Sequence, residues 1–224
     1  MNKETILITG ASSGIGREIA LRFAAAGSRL VLTCNRRRRE GEEVARQCGE
    51  LGAAGVDLLH LDTTDNGSID RLATLLTERK ERLHTLINNA GIGLVKPFAA
   101  TSRGEIEQQL HVTLEGLIKT TQALLPLVSS QVINIGGQLG KTVMADMAVF
   151  CAAKFGVRGF SQALALERPD LKIILVNPDL TATPQTEFHG RPAAAVADVV
   201  WRTATGALRV ASGGEVDVWE VLCE

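Results

Sequence analysis

The stretch that decides the fold is "TILITGASSGIGREIA", residues 5–20. A short run rich in β-branched residues leads into Gly10, and Gly14 and Gly16 follow as a helical spacing begins, with Ile15, Ile19 and Phe23 recurring every four residues. Strand, glycine-rich turn and helix in that order make a cradle for a pyrophosphate. Glycine permits the tight turn and lets backbone N–H groups come close to phosphate oxygens at the positive end of the helix. Gly10, Ser12, Ser13, Gly14, Ile15 and Gly16 are therefore the candidate contacts. A glycine triplet alone also suits an ordinary turn; its place directly after the first strand favours the nucleotide reading.

Outward from this unit, near-continuous apolar runs recur at 29–34, 56–61, 84–89, 131–136, 172–177 and 215–222. Strands covered on both faces have this character. Segments with helical spacing lie between them. The longest is marked by Ile106, Leu110, Leu117 and Leu124, with Pro126 near its close. The pattern predicts an α/β protein of three layers: a doubly wound, seven-stranded, mostly parallel sheet with helices on both faces. A chain of 224 residues without repeat or linker reads as one domain, residues 1–224.

A net charge of −1 opposes nucleic-acid or anionic-membrane binding, which needs a basic face. No apolar run reaches the roughly 18–20 residues of a membrane span. Cys34, Cys48, Cys151 and Cys223 show no paired spacing and read as reduced thiols, with no metal site expected. The opening "MNKETILITG" turns into strand at once, so no leader is expected and the expected location is cytoplasmic.

The spacing Gly-x-x-x-Gly-x-Gly after Thr9 resembles the short-chain dehydrogenase/reductase family, and further motifs follow in that family's order. "LDTTD" (61–65) is similar to the segment that holds the adenine, which implies contacts from Asp62 and Thr63. "NNAG" (88–91) resembles the fourth-strand signature beside the adenosine ribose, implying Asn89, Ala90 and Gly91. "NPDLTATP" (177–184) is similar to the segment near the nicotinamide, implying Pro178, Thr181 and Thr183. The family resemblance implies a nicotinamide dinucleotide, a small-molecule substrate and a homodimer or homotetramer.

The end of the second strand reads "TCNRRRRE" (33–40), with no carboxylate before Glu40. An acidic residue here would bind the ribose hydroxyls of NAD and repel a 2′-phosphate, whereas a guanidinium forks onto phosphate. Arg36 and Arg37 are the candidates for that phosphate, and NADP(H) is expected over NAD(H). Arg38 and Arg39 read as a solvated helix start.

The resemblance also implies a catalytic group of Asn, Ser, Tyr and Lys, in which the Tyr protonates a substrate carbonyl. Lys154 keeps the Lys position, inside "FCAAKFGVRGFSQALALE" (150–167). The Tyr position, four residues earlier, is Phe150. The Ser position, in "VINIGGQLG" (132–140), is Gly137, and the Asn position, in "HVTLEG" (111–116), is Thr113. A positioned general acid is worth about 10²–10⁴ in rate, and one donor at a developing oxyanion about 10²–10³. Ordinary carbonyl reduction is therefore expected to be close to absent. Asp179 replaces the family's Gly after Pro178 and puts a carboxylate near the nicotinamide end. His111 and Cys151 are expected to point elsewhere on their helices. His189, in a candidate lid, is the one loop group to weigh as a substitute proton donor against an ordinary solvated role. Two functions stay open: an oxidoreductase with altered chemistry, and a non-catalytic NADP(H) sensor or partner subunit.

Overall fold

The computed structural model describes residues 4–223. Met1–Lys3, part of the opening from which no leader was expected, lie outside the described residues.

The first strand, β1 (Thr5–Ile8), is buried on both sides. Its alternate residues face opposite layers. Ile6 and Ile8 pack with Ile19 and Phe23 of α1 (Gly14–Ala25), Val44 of α2 (Arg38–Glu50), and Val196 and Val200 of α7 (Ala193–Ala204). Leu7 packs with Ile69 and Leu72 of α3 (Asn66–Glu78), Leu124 of α5 (Gly116–Leu124) and Leu164 of α6 (Ala148–Glu167). Each such side chain contributes about 1.5–3 kcal/mol on full burial. A core on each face of the sheet accounts for the largely apolar strands.

The other strands of this sheet are β2 (Arg29–Cys34), β3 (Gly55–His60), β4 (Leu83–Asn88), β5 (Val128–Ile135), β6 (Lys172–Asn177) and β9 (Glu215–Asp217). Their order is β3-β2-β1-β4-β5-β6-β9, and every pairing is parallel. The chain runs outward from β1 to β3, then crosses back to pair β4 with the other side of β1. That reversal opens a crevice at the carboxyl ends of β1 and β4, where ligands of such sheets sit. The glycine loop leaves β1 at this point.

Three details depart from the sequence reading. The expected strand at 215–222 is only three residues long, and Val218–Val221 forms a short helix, α8. Asp217 takes the helix N-cap position with its side chain bound to Asn177, and the chain turns so that Val218 reaches the core formed with α7. The long helix after β4 divides into α4 (Arg103–Leu110) and α5, joined by a π-helical turn at His111–Glu115. A two-residue parallel pair, β7 (Thr181–Ala182) and β8 (Arg191–Pro192), closes the segment after β6.

Candidate active site and dinucleotide site

Gly10 and Gly14 hold left-handed backbone, φ +67° and +56°, which side chains oppose. Gly16 is fixed by space: a Cβ there would stand 2.4 Å from the Gly10 carbonyl oxygen and from Asn89 Nδ2. The crowding comes from a clamp between two of the sequence motifs. Asn89 Nδ2 donates to the carbonyls of Thr9 (2.9 Å) and Gly10 (3.2 Å). The N–H groups of Asn89 and Ala90 both donate to Thr9 Oγ1, at 2.9 and 3.0 Å. Gly16→Ala must push on backbone, so it is expected to cost about 1–3 kcal/mol in denaturant unfolding and to weaken dinucleotide binding. An unchanged midpoint would show the loop to be slack.

Ser13 occupies the N-cap of α1 in extended backbone, but its side chain makes no capping bond. The first-turn N–H groups therefore keep their donors for an anion. Thr183 lies across the same loop, its Cγ2 being 3.1 Å from where a Cβ of Gly14 would be. Pro178 and Thr181 precede it; the Thr181 hydroxyl donates to the Asp179 carbonyl at 2.8 Å.

At the end of β3, burial pushes the Asp62 carboxyl up, but the N–H and hydroxyl of Thr64 and the Asn35 side chain outweigh it and hold the group below its usual value. The Thr64 bonds are 2.9 and 2.7 Å. Thr63 packs where a side chain on Gly116 would be. Arg36 and Arg37 lie exposed on the bend between β2 and α2, and Arg38 pairs with Glu42 on the helix. These residues fit a dinucleotide: glycines where a Cβ would fill the cradle, an uncapped helix start, an ionised carboxylate and free-standing guanidinium groups.

Lys154 is 7% exposed, and its Nζ donates to the Ile135 carbonyl at 2.8 Å. Burial pulls its ammonium down to about 8. The centroid of the Phe150 ring is 5.5 Å from Nζ. On its other side the ring packs against Gly93: a Cβ there would meet Phe150 Cδ2 at 3.0 Å and Gln185 Nε2 at 2.9 Å. Gly137 is extended (φ 161°), and a Cβ there would find only the Pro178 carbonyl, at 3.9 Å. Its N–H donates to Asn177 Oδ1 at 3.1 Å, and Asn177 in turn donates to Asp217, which Lys141 also holds. Thr113 is buried in the π turn, its hydroxyl accepting from the Ile92 N–H (3.0 Å) and donating to the Ile92 carbonyl (2.9 Å). One side chain thus closes both hydrogen bonds of that backbone unit.

The expected carboxylate at Asp179 does not stand alone. Arg191 forks onto it, Nε to Oδ1 and Nη2 to Oδ2, both at 2.8 Å. His189 is exposed, with Nδ1 3.0 Å from the Thr186 carbonyl. His111 is exposed and pairs with Glu115 at 3.2 Å, on the far side of its turn from buried Thr113. Cys151 is packed in the interior. Asn35, Asn177, Gln185 and Arg191 were not picked out in the sequence. Each acts through a partner distant in the chain, and no local spacing announces such a pair.

Among the described residues no cluster of three or more His, Cys, Asp or Glu could hold a metal ion, and no helix is long and apolar enough to cross a membrane.

A doubly wound parallel sheet with a glycine loop at its reversal defines a nucleotide-binding class of fold. Residues 4–192 match the short chain dehydrogenase family, and the chain belongs to it, a family that binds nicotinamide dinucleotides. The sulfoacetaldehyde reductase of Chromohalobacter salexigens is 32% identical over 211 residues, covering 90% of this chain and 82% of its own. The NADP-dependent 3-hydroxy acid dehydrogenase of Schizosaccharomyces pombe is 30% identical over 199 residues, covering 85% and 77%. A short chain dehydrogenase from Shigella flexneri, solved with NADP, superimposes with a TM-score of 0.90 over 98% of each chain at 24% identity, a likeness of fold.

Proposed function

We propose that this protein binds NADP(H) and lacks the protein groups needed to reduce an ordinary ketone. The observation that carries this reading is Phe150: one helical turn before Lys154, packed on Gly93, it has no hydroxyl to give. Gly137 offers no side chain, and the Thr113 hydroxyl is already engaged by Ile92. In this reading the dinucleotide is held by the loop from Gly10 to Gly16, by Asp62 and Thr63, by Asn89, Ala90 and Gly91, and by Pro178, Thr181 and Thr183. Lys154 supplies a donor for ribose hydroxyls. When bound, the dinucleotide supplies or accepts a hydride, and the protein contributes geometry and electrostatics.

Arg36 and Arg37 support the 2′-phosphate form, as does the NADP dependence of the Schizosaccharomyces relative. NADPH is expected to bind at least about tenfold tighter than NADH in direct titration, since a charge-assisted guanidinium–phosphate contact is lost in NADH. Equal affinities would discard the assignment.

A second reading, a non-catalytic NADP(H) sensor or partner subunit, is favoured by Thr113, whose hydroxyl is already bonded on both sides to Ile92, and by Lys154, which without a phenol beside it has only the ribose to hold. Assays with NADPH over a panel of ketones, aldehydes and activated alkenes separate the two. Turnover of a substrate that needs no proton from the protein supports an altered oxidoreductase; binding without oxidation supports the sensor. Pairing of copies through α6 is part of the proposal, since Phe155 and Leu166 stand exposed on it.

A further inference from the structure

We propose that the mouth of this site admits an uncharged, apolar small molecule and disfavours anionic ones, with Asp179 as the residue that sets the choice. This rests on the reading above that a small molecule binds beside the dinucleotide. Of the nine large apolar side chains exposed among the described residues, six are Val95, Phe98, Val143, Met144, Leu180 and Phe188. They stand on the three loops that leave the carboxyl ends of β4, β5 and β6. Single exposed apolar residues are ordinary, but a cluster around a cleft marks a place where apolar surface is to be covered.

The three loops are tied together. The Lys96 N–H donates to the Asp146 carbonyl at 2.8 Å, joining the first loop to the second. The Gln138 N–H donates to the Pro178 carbonyl at 2.8 Å, joining the second to the third. Gln185 and Phe150 meet over Gly93, joining the third loop to the first and placing the cluster beside the catalytic positions.

The lysines and the arginine on these three loops are already paired. Lys96 Nζ bonds both oxygens of Glu105 at 2.9 Å, and Lys141 is held by Asp217. Arg191 is forked onto Asp179, with the two side chains 22% and 21% exposed. A carboxylate or sulfonate on a ligand would have to displace Asp179, and paired charge-assisted bonds resist that exchange. Asp146 and Glu187, exposed on the same loops, add negative charge. With the lysines and the arginine of these loops paired and the apolar groups exposed, the rim suits a ligand without charge; the Lys154 ammonium lies buried beneath it, bonded to the Ile135 carbonyl.

The test uses two ketones with the same chain: 2-decanone, ending in a methyl group, and 9-oxodecanoate, ending in a carboxylate. Ligand-observed NMR on the full chain, with and without NADPH, gives both affinities. The methyl compound is expected to bind about tenfold tighter or more, in line with the cost of leaving a desolvated charge unpaired. Asp179→Asn keeps the shape of the fork and removes its negative charge. It is expected to tighten 9-oxodecanoate about fivefold and leave 2-decanone within about twofold. Phe188→Ser and Val143→Ser are each expected to weaken 2-decanone about threefold or more. Tighter or equal binding of the carboxylate by the unaltered protein, or no response to Asp179→Asn, overturns the proposal. So does unchanged 2-decanone affinity in the serine variants together with an altered sedimentation coefficient, which would make the patch a contact between copies. Direct NADPH titration of the same samples keeps the two readings apart: its failure defeats the cofactor assignment, whereas ketone selectivity is judged by its own affinities.

Discussion

Turnover of cyclohexanone with NADPH is expected to rise at least about 10²-fold when Phe150→Tyr and Gly137→Ser are combined, measured as dinucleotide oxidation at neutral pH. The frame for the restored groups is already standing. A side chain at Gly137 enters open space, with only the Pro178 carbonyl nearby at 3.9 Å, and its backbone is extended, as any residue allows. A phenol at position 150 replaces a ring of the same outline, one turn from an ammonium whose own tendency to shed its proton is raised by burial. The two gains are not expected to multiply, because an acid and an oxyanion donor act on the same transition state. Thr113 is left in place, so full family activity is not the expected endpoint. Each single variant is expected to give less than the pair. No gain from the double variant, in a protein that still binds NADPH, would mean that the backbone around Gly93, Gly137 and Phe150 no longer frames a carbonyl.

The second large effect concerns stability and pH. Lys154 has its ammonium drawn down from 10.5 to about 8 by burial alone. Above pH 10.5 the amine is neutral whether the chain is folded or not, and it has no linkage effect. Between pH 10.5 and 8 the unfolded chain takes up a proton that the folded one refuses, so stability falls as the pH falls. Below pH 8 both forms carry the charge, and the full cost of burying it is present, on the order of 3 kcal/mol from the size of the depression. Lys154→Met has no group to titrate there. The stability difference between the unaltered protein and Lys154→Met is therefore expected to move by about 3 kcal/mol in favour of lysine between pH 7.5 and 10.5, read from urea midpoints. Taking the difference removes the titration of every other group. A flat difference would mean that Lys154 is already answered by charge or solvent.

Much of the fold was legible because it follows from local necessity. The strands at 29–34 and 172–177 appear with the expected bounds, since a strand between two helical layers must be largely apolar on both faces. Glycines with left-handed or crowded backbone mark the turn after β1 just as plainly. At 215–222 the expectation failed because apolar residues on alternate positions also suit a short helix, and tertiary bonds from Asp217 to Asn177 and Lys141 decided the matter. The sequence offers the motif residues of the candidate site by their spacing alone. It does not offer their surroundings: the fork between Asp179 and Arg191 spans twelve positions, and Gln185 reaches Gly93 from the other side of the cleft. The carboxylate that the sequence places near the nicotinamide end is paired in space, and only the fold brings the answering guanidinium to it.

The bond from Gly137 to Asn177, and from there to Asp217, gives the chain's order of synthesis a consequence. The strand that steadies this corner of the cleft is the last of the seven to be made, and it joins the sheet at its outer edge beside β6. Domains begin to organise from the amino end while synthesis continues. The clamp on the glycine loop uses only Thr9, Gly10, Asn89 and Ala90, so its parts have all been made soon after β4. The opposite end of the cleft waits for Asn177 and Asp217, so the two halves of the site take shape at different stages of synthesis.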